Sequence, residues 1–197
     1  LLLGPSYALL RSEFLSHKDQ EKEITERASK ILVTLGGADV SNGTAKVLEA
    51  LALIKDPLEV HVIIGSENPH KDELQKIAAS SHHNLSLLES VTDMPEKMQW
   101  ADLAIGAAGS TSWEFLFMGL PFITGVLAEN QEAIAEELGK KNLAVNVGWY
   151  KECDASDLSG KIEELIRNGE ERARFSKEGR RIVDGEGTER LLAEMAL

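Results

Sequence analysis

The sequence predicts an α/β protein built on a doubly wound, parallel, six-stranded sheet. Three observations carry this. Six short apolar runs rich in β-branched residues recur along the chain. Helical i, i+3, i+4 periodicity fills the intervals between them. Several runs stop at glycine, at Gly36, Gly65 and Gly106, where a strand must turn into a helix. Strands alternating with helices imply βαβ units, and right-handed crossovers wind them onto both faces of one sheet. Six strands in such a sheet take the order 3-2-1-4-5-6.

The elements follow in order. Ile31–Leu35 is the first strand, ended by Gly36-Gly37. Ser41 or Asn42 is placed to cap a helix reaching Ile54, with Val47, Leu48, Leu51 and Ile54 on one face. Leu58–Ile64 is the second strand, and Pro69 suits the first turn of a helix to Ser80. Asn84–Leu88 is the third strand. Asp93 caps a short helix with Pro95 in its first turn. Asp102–Ile105 is the fourth strand. Ser110–Met118 is helical and Gly119 ends it. Phe122–Val126 is the fifth strand, Asn130–Lys141 a helix and Leu143–Val147 the sixth strand. Beyond Ser156 the chain reads as charged helix with a break near Gly185–Gly187, its Lys/Arg/Glu run a solvated face.

Composition narrows the function. The 197 residues amount to about one domain. A net charge of -12 argues against a nucleic-acid footprint, which needs a basic surface. Aromatics at 5% are too few for a stacking platform along single strands. One cysteine, Cys153, permits no intramolecular disulfide and fits a reducing, cytoplasmic setting. Its neighbours Glu152 and Asp154 are the wrong sign for a reactive thiolate. The longest charge-free apolar stretch, Phe115–Ala128, is interrupted by Gly119, Pro121 and Gly125, and falls short of the ~20 residues of a membrane span. Residues 1–30 differ from the rest: an apolar stretch to Leu15, then a polar one carrying both signs of charge. They read as a strand and hinge leading into residues 31–197, and the Met-less opening Leu1-Leu2-Leu3 reads as part of something longer.

In a doubly wound sheet ligands bind beyond the strand C-termini where the order reverses, here between strands one and four. The loops at that point are Gly36-Gly37-Ala38-Asp39 and Gly106-Ala107-Ala108-Gly109-Ser110-Thr111. Both are glycine-rich and both open a helix, a combination that brings backbone N–H groups and a helix N-terminus to an anion. Ser110, Thr111 and Ser112 add hydroxyls. The Walker and G-x-G-x-x-G patterns are absent, as is a G-x-S-x-G elbow around Ser110. The histidines show no metal spacing; His82-His83 reads as a solvated turn, and neither metal nor cofactor is expected. Asp39 can bind a ligand or cap the next helix, and Arg11 can meet a phosphate or pair with nearby Glu13. Trp113 and Phe115–Met118 read as core.

The segment from Gly109 to Pro121, with Glu114 one turn past a Gly-Ser-Thr loop and then Gly119-Leu120-Pro121, resembles the nucleotide-sugar site of GT-B glycosyltransferases. The resemblance implies that residues 31–197 form a Rossmann-like, nucleotide-sugar-binding domain, the C-terminal half of a GT-B fold. It implies that Glu114 takes both ribose hydroxyls, a task suited to an acceptor-only carboxylate. It implies further that Gly36, Gly37, Gly109, Ser110 and Thr111 surround the diphosphate. Val91 and Met94 then belong to the loop that reads the uracil edge, and Asn130-Gln131 to the polar pair near diphosphate and sugar.

A narrower similarity covers Gly4 to Phe14 together with the two glycine loops. These resemble the UDP-sugar hydrolases of pseudaminic acid synthesis, whose superfamily includes the spore-coat polysaccharide proteins. That resemblance implies water attack on a UDP-linked diacetamido-trideoxy sugar with inversion. The family's Gly-x-Gly-His loop, which carries its proposed base, is not in this sequence, so no catalytic residue is assigned here and the base is expected in an N-terminal domain of the same protein. Two alternatives stand beside the hydrolase: the donor-binding domain of a GT-B glycosyltransferase, and a binding module without catalysis. The expected partners are a UDP-sugar and that N-terminal domain.

Overall fold

A computed structural model describes residues 4–195. A 3-10 turn (Pro5–Tyr7) and a short helix α1 (Ser12–Leu15) precede the sheet. Then follow β1 (Lys30–Thr34), α2 (Gly43–Leu51), β2 (Glu59–Ile64), α3 (Lys71–Ser80), β3 (Asn84–Glu89) and α4 (Met94–Trp100). The second half runs β4 (Leu103–Ala107), α5 (Thr111–Met118), β5 (Phe122–Val126), a 3-10 turn (Glu129–Gln131), α6 (Glu132–Lys140) and β6 (Val145–Trp149). Three helices close the chain: α7 (Ala155–Arg167), α8 (Gly169–Ile182) and α9 (Gly187–Met195). The six strands are parallel in the order β3-β2-β1-β4-β5-β6, as the sequence predicts.

The central strands are buried on both faces, which is why they read as continuous apolar runs. Ile31 and Val33 of β1 point into one core with Val60, Val62, Leu103 and Ile105, under α2, α3 and α7. Leu32 points into the other with Phe115, Leu116, Phe122 and Met98, under α4, α5 and α6. The close fit of α8 on α5 needs small residues: a Cβ on Gly179 would lie 3.0 Å from a Leu116 methyl.

Several expectations change. The sixth strand begins at Val145, two residues later than Leu143. Leu143 belongs to the end of α6 instead: Asn142 is left-handed, its N–H donates to Gly139 O, and Leu143 N–H donates to Leu138 O. This is a Schellman cap, with the apolar residue after it folded into the core. Second, His83 is buried rather than solvated. Its Nδ1 accepts from Leu58 N–H at 3.3 Å, so Nε2 carries the proton and donates to Leu51 O at 2.7 Å. Burial pushes its pKa down, and the ring stays neutral in this role. Third, the C-terminal charge run is not wholly a solvated face. Arg172 is 1% exposed, and its guanidinium donates to the carbonyls of Leu165, Ile166, Thr25 and Glu26.

Residues 4–29 contain no strand among those described, and Leu1–Leu3 lie outside them. What holds this segment is carbonyl capture by cations. Lys22 Nζ donates to Met98 O and Gln99 O at the end of α4, and burial lowers its pKa to about 8. Arg180 holds the carbonyls of Lys18 and Gln20. Phe14 plugs the core under α5, fully buried. Among the described residues no helix is long and apolar enough to cross a membrane.

Candidate functional site

The order reversal sets the site. β1 pairs with β2 on one side and β4 on the other, and Thr34, its last residue, lies beside both Ile63 and Gly106. Helices leave these strands toward opposite faces, so their loops part above β1. A cleft of about 540 Å³ opens there. Its floor is Thr34, Gly36, Gly37, Ile63, Ile64 and Gly65; Ser66, Ser90, Val91 and Met94 form one wall. The other wall is Ser110, Thr111 and Glu114 from the start of α5, with Leu9 and Arg11 from the N-terminal segment.

The floor is narrow because two backbones touch. A Cβ built on Gly65 would stand 2.1 Å from Gly37 O, so no larger residue fits without moving the first loop. A Cβ on Gly37 meets nothing within 4 Å, although Gly37 lines the cleft. The two positions therefore separate folding from binding. Gly65→Ala is expected to destabilise the chain by about 1–3 kcal/mol, the usual range for overpacking. Gly37→Ala is expected to leave thermal unfolding within about 0.5 kcal/mol of wild type while weakening any anion held on that loop. Melting curves and ligand titrations on both variants check this.

Of the residues expected in the site, Gly36, Gly37, Val91, Met94, Ser110, Thr111 and Glu114 converge on the cleft. Four do not line it. Asp39 is 5% exposed and takes the N–H groups of Gly43 and Thr44 on its two oxygens, each at 2.8 Å. It is the cap of α2, and it replaces the expected side-chain cap from Ser41 or Asn42; Asn42 itself sits at φ 55 with no capping bond. Gly109 turns β4 into α5: its N–H donates to Ala107 O and its carbonyl accepts from Ser112 N–H. Its amide is thereby engaged within the protein. Gln131 Oε1 accepts from Leu127 N–H at 2.8 Å, holding the turn after β5, and Asn130 lies exposed in that same 3-10 turn.

The wall at α5 carries the chemistry. At the start of α5 the Ser112 and Trp113 N–H groups are taken by Gly109 O and Ser110 O, so the amides of Ser110 and Thr111 are the ones left to meet a ligand, and the helix dipole adds partial positive charge there. Ser110 and Thr111 stand at that end with their hydroxyls. Glu114 follows one turn later, its side chain only 14% exposed. Burial pushes its carboxyl above the ordinary glutamate range; the Arg11 guanidinium pulls it back down, and Glu13 pushes it slightly up. Arg11 Nε meets Glu114 Oε1 at 3.1 Å, and Arg11 Nη1 meets Glu13 Oε1 at 2.9 Å. Arg11 is the functional candidate that the site assignment from sequence left out. Its signal in the sequence is its place inside the Gly4–Phe14 similarity.

Behind the site, Tyr150 OH donates to Gly106 O at 2.9 Å, and its ring covers Gly125 so closely that a Cβ there would lie 2.6 Å away. Full burial pushes the phenol pKa up, so it remains a donor. No three His, Cys, Asp or Glu side chains converge to hold a metal among the described residues. Cys153 has its thiol pushed up by burial and by Asp157.

The profile of the glycosyltransferase family 28 C-terminal domain matches residues 30–186. The chain is 30% identical over 179 residues to an uncharacterized protein of Methanocaldococcus jannaschii, covering 84% of this chain and 37% of that one. It is 27% identical over 192 residues to the spore coat polysaccharide biosynthesis protein SpsG of Bacillus subtilis, covering 96% of this chain and 56% of that one. The chain thus spans between about a third and just over half the length of these relatives. Among solved structures, MurG of Acinetobacter baumannii superposes with a TM-score of 0.67 at 19% identity, over 88% of this chain and 53% of that one. WaaG, a glycosyltransferase involved in lipopolysaccharide biosynthesis, gives 0.63 at 20% identity, over 91% and 49%. At these identities the two structures establish the shared fold.

Proposed function

The chain belongs to the glycosyltransferase family 28 C-terminal domains, and on that premise we propose that it is the nucleotide-sugar-binding half of a GT-B glycosyltransferase in polysaccharide biosynthesis. One observation carries the reading: Ser110, Thr111 and Glu114 of α5 share a cleft with the Gly36-Gly37 loop where the sheet order reverses. The start of α5 and the Gly36-Gly37 loop hold the diphosphate with backbone amides and hydroxyls. Glu114 Oε2, turned away from its Arg11 bond, takes ribose hydroxyls. Val91 and Met94 flank the base, uracil in this reading.

In the reaction an acceptor hydroxyl attacks the anomeric carbon, the bond from that carbon to the diphosphate oxygen breaks, and UDP leaves. The helix N-terminus stabilises the charge that gathers on the leaving phosphate. The acceptor's proton goes to a base on a second domain, because the one carboxylate lining this cleft is committed to the nucleotide. The name of the Bacillus subtilis relative, a spore coat polysaccharide biosynthesis protein, supports a polysaccharide product. Water as acceptor, the hydrolase reading, rests on the similarity of Gly4–Phe14 and the two glycine loops; none of the relatives named above carries a hydrolase name.

Calorimetric titration of the chain with UDP, with ADP and GDP as comparators, tests the proposal. Saturable binding of UDP, with purine diphosphates weaker, is the expected result. No heat at millimolar UDP would overturn it.

A further inference from the structure

We infer that Arg11 is a positioning residue for the nucleotide site, holding Glu114 in one orientation and in its charged state so that the carboxylate can accept ribose hydroxyls. The inference rests on the reading of the cleft above and adds to it a residue outside the sheet domain proper. Three facts support it. Arg11 is the one cationic side chain lining the cleft among the described residues, in a chain of net charge -12. It reaches Glu114 across 103 positions of sequence and contacts it through a single nitrogen, Nε to Oε1, leaving Oε2 unconstrained by that bond. It is itself fixed at its other side: Nη1 pairs with Glu13, and the guanidinium stacks 5.0 Å from the ring centroid of Phe14, which is fully buried.

Geometry explains why such a partner is needed. A carboxylate at 14% exposure has lost most of its water, and burial favours the protonated acid. A protonated Glu114 carries a donor where ribose hydroxyls need an acceptor. Arg11 opposes this by charge and by hydrogen bond; Glu13, on the far side of the same guanidinium, works against it. Charged groups on the neighbouring helices are engaged elsewhere. Lys97 of α4 lies beside Glu96, and Arg180 of α8 holds the carbonyls of Lys18 and Gln20. Arg11, from the N-terminal segment, is thus the side-chain cation that favours ionised Glu114, beside the partial positive charge at the start of α5.

The sign follows directly. Binding requires ionised Glu114, so affinity falls as the pH drops through its pKa. Without Arg11 that pKa rises, and the fall begins at a higher pH. The test compares wild type, Arg11→Ala and Arg11→Lys by NMR titration with UDP and with uridine between pH 5 and 8. Uridine has no phosphate, so its profile is free of diphosphate protonation. Arg11→Ala is expected to lose about 3–10-fold in affinity at the acid end for both ligands, narrowing toward pH 8, with Arg11→Lys recovering much of the loss. The carbon-13 carboxyl resonance of Glu114, followed without ligand, is expected to titrate at higher pH in Arg11→Ala. Unfolding curves confirm that the variants fold.

A loss of the same factor at every pH, or a loss for UDP alone, would overturn the inference: the first marks a structural role, the second a phosphate contact. So would an unshifted Glu114 resonance in a wild type that binds. If the wild type bound neither ligand, the nucleotide reading would fall and this inference with it.

Discussion

Glu114→Ala is expected to lower UDP affinity by about 10–100-fold while leaving the unfolding midpoint near that of wild type. Hydrogen bonds to a charged group contribute about 1.5–3 kcal/mol each, and each 1.4 kcal/mol is tenfold in affinity. The variant removes the acceptor and frees Arg11, which keeps its pair with Glu13. The fold has little to lose. Glu114 sits on the cleft side of α5, whereas Phe115 and Leu116 hold that helix to the sheet and to α8. Glu114→Gln retains volume and one acceptor oxygen, so it should fall between the two. Titration calorimetry with UDP, paired with a thermal melt, reads both halves. An affinity unchanged in Glu114→Ala would remove the carboxylate from the ribose and reopen the assignment of the whole wall.

The second large effect lies far from the cleft. Arg172→Ala should destabilise the chain by roughly 3–5 kcal/mol, from a lost buried hydrogen-bond hub and the cavity left behind. For a chain of this size that is on the order of 10 °C in melting temperature. Four carbonyls converge on this guanidinium: two at the end of α7 and two, at Thr25 and Glu26, in the N-terminal segment. Ile166 O keeps the Ala28 N–H, but removing the donors takes their guanidinium partner from Leu165 O, Thr25 O and Glu26 O. Arg172→Met separates the contributions, because it restores much of the volume and none of the donors. If Arg172→Met melts with wild type, packing and not carbonyl capture is what Arg172 provides. UDP affinity measured well below the melting temperature should be unchanged in both variants.

Much of the fold was legible because a parallel sheet buries its strands on both faces. ILVTL before Gly36 and FITGV after Pro121 are continuous apolar runs that suit only such a sheet, and the strand order follows from topology once the strands are counted. The cleft followed too, since the reversal point is a property of that order. What failed were contacts between residues distant in sequence and competitions settled by local geometry. Asp39 was open between ligand and cap, and two adjacent helix amides decided for the cap. Leu143 reads as strand because apolar β-sheet sequence and an apolar cap residue look alike; the left-handed Asn142 before it is the distinguishing signal. Arg172 is indistinguishable in sequence from the exposed Arg174 two positions on, because only the path of residues 25–26 buries it. Arg11 was open between a phosphate and the nearby Glu13; it does pair with Glu13, and what the sequence could not show is its second partner, Glu114, a hundred residues away.

The contact between Gly65 and Gly37 has a consequence for how this cleft can change. Its floor is main chain against main chain, so its width is not adjustable by exchanging side chains there. Any new ligand preference must be written on the rim, at Leu9, Ser66, Ser90 or Val91, where a substitution alters what is read without moving the strands beneath. Under the nucleotide-sugar reading, that leaves a rigid frame for the part such ligands share and a replaceable margin for the part that differs. A library confined to those four positions would explore specificity while sparing the frame.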